Sequence, residues 1–316
     1  MQTEKTNPVL RVALKDYNEQ IVAIDHAAIA LLPPVGELQA RGATLAPDSI
    51  CLGMEGIPFF IVMNSLNFQF WEITELSEFV RYQHEGQAGA LAMYSAFRQC
   101  WERAAVRADI AGRAPNDVPF IARELINLFS REGLLGIFGD IPAIGKRVRI
   151  LLEVLSEGEH LFNVSSTLLE ALLTRRELGS DHAKMLAQAF PVAYGDDYLK
   201  KAQLTLMLIA GQWNAGNPGQ TCKLDVTAAA DYQLPKILRE MGILRYSKWL
   251  ADAVDKQQLV EADTIAERAI RAATVLACEE LAEHFQCSSS QVDFWLWANR
   301  NQAREAKFHL TRTTAY

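Results

Sequence analysis

Apolar residues recur at helical spacing along so much of this chain that a sheet-dominated fold has no room. Across residues 89–106, Leu91, Tyr94, Ala96, Phe97 and Trp101 share one broad face, while Arg98, Glu102 and Arg103 fall opposite. Across 267–284, Ile270, Ala273, Val275, Leu276, Ala277 and Leu281 supply buried positions, and 198–214 does the same with Leu199, Ala202, Leu204, Leu206, Met207 and Leu208. Further helices are expected over 119–130, 146–155, 167–176 and 247–254, and after Asp25 within 21–32, where Pro33 and Pro34 end the run. Thr167-Leu168-Leu169-Glu170 and Ser288-Ser289-Ser290-Gln291 have the spacing of capping boxes. The exception is 49–63, where Ile57-Pro58-Phe59-Phe60-Ile61-Val62-Met63 is an apolar run without helical period, read as a strand at the centre of a small sheet. The expectation is a mainly α chain with a small β-sheet, one domain of two lobes, approximately 1–140 and 141–316.

Half of the residues are apolar, enough for a sizeable core, and the net charge of −7 argues against a long polyphosphate as the main partner. No nucleic acid is expected; a small anion needs only a local basic pocket. The five cysteines include no Cys-x-x-Cys pair and none at metal-ligand spacing from a histidine, so they read as reduced thiols, with no metal or other cofactor expected. The polar start Met1-Gln2-Thr3-Glu4-Lys5 is not a signal peptide, and no apolar run approaches a membrane span, which makes the cytoplasm the expected compartment. Oligomeric state is left open.

The chemistry-bearing stretch is 227–238, Thr-Ala-Ala-Ala-Asp-Tyr-Gln-Leu-Pro-Lys-Ile-Leu, where Pro235 fixes φ at the start of an amphipathic helix and Asp231 stands at its entrance. On residue type alone Asp231 is first a helix cap. Asn64-Ser65-Leu66-Asn67-Phe68-Gln69-Phe70-Trp71 alternates amides with rings, a wall suited to a nucleobase but equally a core beside a strand end. Lys200, Lys201 and Gln203 begin a helix, where lysines oppose the dipole; a bound phosphate or plain solvent would compensate them. Asp293 and Trp297 lie one turn apart, a carboxylate beside a flat ring, and the same pair also reads as an early-turn acid and a core residue. Gly139-Asp140-Ile141-Pro142-Ala143-Ile144-Gly145 has the outline of a helix-hairpin-helix DNA-binding hairpin, but Ala143 stands at the first hairpin glycine. Pro142 and Gly145 are therefore read as a turn before the next helix.

Taken in order, these blocks resemble the queuosine salvage proteins: Leu66 to Trp71, Lys200-Lys201-Ala202-Gln203, Asp231-Tyr232-Gln233-Leu234-Pro235, Gly242-Ile243-Leu244-Arg245-Tyr246-Ser247, Ile270-Arg271-Ala272, Asp293-Phe294-Trp295-Leu296-Trp297, and the tail Phe308-His309-Leu310-Thr311-Arg312 to Tyr316. The resemblance spans nearly the whole chain and implies a helical core like that of DNA glycosylases. It also implies an enzyme that releases queuine from queuosine 5'-phosphate, leaving ribose 5-phosphate. Asp231 would be catalytic; Asn67, Phe70, Trp71, Lys200, Lys201, Ala229, Tyr232, Asp293 and Trp297 would bind substrate, with His309 and Arg312 as further phosphate candidates. The chain departs from the family pattern at Ala229 (Phe in the family), Ala269 (Glu) and Gly211 (an acid), and lacks a Trp and His region between Leu32 and Ser49. Two other readings stay open: a deazapurine-binding protein of altered specificity or without turnover, and a DNA-repair glycosylase.

Overall fold

The computed structural model describes residues 7–33, 56–75, 78–114 and 117–316. Its longest helices are Ala90–Ile110 and Ile265–Phe285. The second opens at Thr264, whose side chain accepts the Glu267 N–H at 3.4 Å, and is buried nearly all round, from Ala269 to Leu281. Such a helix belongs at the centre of a core. It packs against Pro8–Asp16 on one side and Ser289–Ala298 on another, while Lys200–Gly216 packs on Gly56–Ser65. Two apolar cores result. One joins Val9, Phe60, Phe97 and Leu206; the other joins Val22 and Ile29 to Ile270, Leu281 and Leu296.

The mainly helical expectation holds, with differences in particular elements. Gly56–Ser65 is a helix where a strand was expected; the part of that strand before residue 56 lies outside the described residues. All ten of its residues are buried, so apolar side chains face outward in every direction and no amphipathic period survives to announce it. Pro58 is tolerated because it falls in the first turn, where N–H groups lack intrahelical partners anyway. The helix expected over 21–32 is shortened to His26–Ala30, capped by Asp25. Before it, Val22–Ile24 buries alternate residues and pairs antiparallel with Leu244–Tyr246. Thr167 does not begin a helix: it sits inside Gly158–Thr174 and donates its hydroxyl to the Asn163 carbonyl at 3.1 Å. The Ser288 capping box is formed as expected. Among the described residues the strands make four separate two-stranded pairs in place of one small sheet.

The turn before Ile144–Ser156 ends at Ala143, held at φ 55°, so Gly145 is already helical. Arg147 of that helix turns inward, donating to the carbonyls of Pro142 and Phe68 with its guanidinium 4.2 Å from the Phe68 ring centroid. It thereby fixes the turn that carries Asn67 and Phe70. Among the described residues no helix is long and apolar enough to cross a membrane.

Candidate active site

Residues 226–230 are buried yet form no regular structure, so their backbone groups must be satisfied by side chains. Gln203 Oε1 accepts the Thr227 N–H at 2.8 Å and its hydroxyl at 3.0 Å. Asp293 Oδ2 accepts the Ala229 N–H at 2.7 Å, and Arg271 Nε donates to the Ala230 carbonyl at 3.3 Å. Three consecutive alanines suit this segment, because larger side chains would have to displace the packed helices around it. The chain then turns into the helix Gln233–Glu240. Asp231 Oδ1 accepts the N–H groups of Gln233 at 2.7 Å and Leu234 at 3.1 Å, while Oδ2 accepts none from the described residues. The aspartate is thus a helix cap, and it also lines a cavity. One oxygen is locked and the other is available to a ligand.

Counted out through its open mouth, with the solvent it admits, that cavity encloses about 850 Å³. Phe70, Tyr94, Tyr232, Trp297 and Tyr316 give it aromatic walls, with Leu204 and Leu208 between them. Asn67 lines it too, donating to Tyr94 Oη at 2.6 Å and to Asn64 Oδ1 at 3.3 Å, which fixes its amide. Asp293 projects into it from the first half of Ser289–Ala298 and is 4% exposed. Burial, with the neighbouring Asp231 charge adding to it, pushes the Asp293 carboxyl up to about 7, against the Ala229 hydrogen bond and Lys200, which pull it down. Lys200 is buried in the same cavity, and its ammonium is lowered by desolvation while Asp231 and Asp293 hold it up.

Of the sequence candidates, Asn67, Phe70, Lys200, Ala229, Asp231, Tyr232, Asp293 and Trp297 therefore meet in one cavity. Four others lie outside its lining. Trp71 is buried and stacks with Phe79 at 6.4 Å. Lys201 points away, donating to the Ser65 carbonyl at 2.9 Å and lying over the Phe68 ring at 5.1 Å. His309 is buried against the Tyr316 hydroxyl at 3.1 Å, with burial lowering its pKa to about 3, so its imidazole is neutral. Arg312 is exposed.

The sequence reading missed Arg81, Tyr94, Arg300 and Tyr316, all of which line the cavity. Arg300 had a local signal, falling three residues after Trp297, whose ring it covers at 3.6 Å. Arg271, whose side chain holds the Ala230 carbonyl, has two acidic neighbours. Glu267 Oε1 is 3.8 Å away, but the tight pairing is with Asp196, at 2.8 and 2.6 Å. The two residues are far apart in sequence, whereas Glu267 is one turn away. Among the described residues no three His, Cys, Asp or Glu side chains gather as a metal-ligand set.

Fold and site together define a helical protein with a cavity walled by aromatic rings, which the carboxylates of Asp231 and Asp293 also line. The family model for the queuosine salvage protein matches residues 53–316, and the chain belongs to that family. A protein of Sphaerobacter thermophilus named queuosine 5'-phosphate N-glycosylase/hydrolase is 27% identical, with 94% of each chain covered. Proteins of the same name from Dictyostelium discoideum (27% identical, covering 82% of this chain and 77% of that one) and Mus musculus (26%, 95% of each) are similar too.

Proposed function

We propose that this chain is an N-glycosidase that hydrolyses queuosine 5'-phosphate to queuine and ribose 5-phosphate. The observation that carries the reading is the convergence of Asp231 and Asp293 on one aromatic cavity, with the segment between Ala229 and Asp231 tied to both. As the bond from the base nitrogen to the anomeric carbon breaks, its electron pair leaves with the base and the sugar becomes cationic. A carboxylate fixed beneath the ring then stabilises the transition state more than the ground state. At about 4 Å and an effective dielectric near 20, unit charges attract by roughly 4 kcal/mol, worth about a thousandfold in rate. Asp231 takes this role through Oδ2 and accepts a proton of the water that attacks the anomeric carbon, handing it on to solvent, while solvent supplies the proton that the departing base nitrogen gains. Asp293 accepts the N–H and NH2 edge of the 7-deazaguanine, whose faces lie against rings such as Trp297 and Tyr232. Family membership and the names of the relatives support this substrate. The test is incubation with queuosine 5'-phosphate, unphosphorylated queuosine and GMP, with free base followed by mass. Release of queuine from the first is expected; release of guanine alone, or of no base, would overturn the assignment.

A further inference from the structure

We infer that the guanidiniums of Arg81 and Arg300 form a clamp for a phosphomonoester at the mouth of the cavity, and that Lys200, deeper in, serves the two carboxylates instead. The inference rests on the proposed reading of the cavity as a nucleotide site and assigns its anion-binding end. Both arginines line the cavity, and they come from separate parts of the chain. Arg81 ends the strand Phe79–Arg81, paired in register with Trp71. Its guanidinium lies over Gly89, where an added Cβ would stand 3.4 Å from Nη2, so the glycine at φ 62° leaves it room. Arg300 follows the helix Ser289–Ala298; its guanidinium lies on the Trp297 ring and Nη1 is tied to the Trp297 carbonyl at 2.8 Å.

Among the described residues neither guanidinium has a carboxylate within ion-pair distance, in a chain whose net charge is −7. Burial and then the Arg81 charge lower the Arg300 pKa, with Asp231 pulling the other way, and burial, Arg81 and Lys307 depress Lys236 against the pull of Glu240. Like charges left together at a cavity rim are stabilised by an anion that enters between them. A phosphate dianion fits the planar forks better than a carboxylate, since three oxygens can be shared between two guanidiniums. Lys200 differs in being buried where Arg81 is exposed and Arg300 half-buried, and both Asp231 and Asp293 sustain its ammonium, whereas of these two only Asp231 acts on Arg300. Lys201 is spent on the Ser65 carbonyl. Of the helix-start lysines, which sequence position nominates for the phosphate, Lys201 is thus engaged elsewhere, while Lys200 lines the cavity with Asp231 and Asp293.

The test uses the full chain and its Arg81→Met, Arg300→Met and Lys200→Met variants, with two readouts. One is kcat/KM for queuosine 5'-phosphate and for queuosine; the other is calorimetric binding of ribose 5-phosphate. Each arginine variant is expected to lower the nucleotide-to-nucleoside ratio of kcat/KM by about tenfold or more and to weaken ribose 5-phosphate by a similar factor, as loss of a charge-assisted fork implies. Lys200→Met is expected to slow both substrates alike and leave the ratio unchanged. Equal losses on both substrates in the arginine variants, or an unchanged affinity for ribose 5-phosphate, would overturn the clamp; a lowered ratio in Lys200→Met would overturn the division of labour. If no base is released from either substrate while ribose 5-phosphate still binds in an arginine-dependent way, the clamp stands and the glycosidase reading falls.

Discussion

The Ala229 N–H donates to Asp293 Oδ2 at 2.7 Å, so the carboxylate proposed to hold the base also anchors the segment that presents Asp231. In the proposed mechanism, recognition and catalysis would share this one strut. Any movement of the helix Ser289–Ala298 is transmitted to Asp231 through two residues of buried backbone.

The raised Asp293 pKa sets a pH dependence. Its carboxyl holds a proton more tightly in the fold than in the unfolded chain, so this contribution to stability is complete below about pH 4 and is lost as pH rises through about 7. Asp293→Asn keeps an oxygen for the Ala229 N–H and removes the buried charge. The variant should melt higher than wild type at about pH 8 and match it only near about pH 4. Parallel melting curves across that range would contradict the assignment. Because the base offers donors to the ionised form, queuine affinity of the wild type should rise with pH through about 7 and then level off.

Arg271 is the pin behind the catalytic segment. It is 3% exposed, gripped by Asp196 and stacked at 4.3 and 4.8 Å on the rings of Tyr198 and Tyr316. Arg271→Ala removes the cation that faces Asp196 and the buried Glu267, leaving them only neutral donors, and should cost about 3–5 kcal/mol by urea unfolding. Arg271→Lys keeps the charge but not the fork and should cost less. A loss below about 1 kcal/mol for the alanine variant would show that the carboxylates find other partners.

Ala143 stands in the left-handed region at φ 55°, where its Cβ costs roughly 1–2 kcal/mol. Ala143→Gly removes that strain and gives back part of it through the freer unfolded chain, for a net gain of up to about 1 kcal/mol. Urea midpoints of the two proteins check this, and a lower midpoint for the glycine variant would contradict it.

What could be read from the sequence, and what could not, follows from geometry. One-sided apolar spacing and capping residues gave Ala90–Ile110 and the Ser288 box, and sheer length of helical pattern gave Ile265–Phe285, whereas the short Gly56–Ser65 was misread because burial on every side erases the period. In the site, ordered blocks nominated Asp231, Asp293 and Trp297, which do share a cavity. Blocks cannot say which of two neighbours faces inward. Lys200 and Lys201 differ by about 100° around their helix, and Phe70 and Trp71 point to opposite sides where a strand begins, so in each pair only the first lines the cavity. Arg81 carries no local signal, because only the folded chain brings it to Arg300.

The central claim is that a negative charge at position 231 drives cleavage, and Asp231→Asn isolates that charge. Asparagine caps a helix about as well as aspartate, so its Oδ1 still accepts the Gln233 and Leu234 N–H groups and the fold is retained. The measurement is the rate of queuine release from queuosine 5'-phosphate by this variant, alongside its melting temperature. The account predicts an unchanged melting temperature with a rate lower by about a thousandfold; release at the wild-type rate would contradict it.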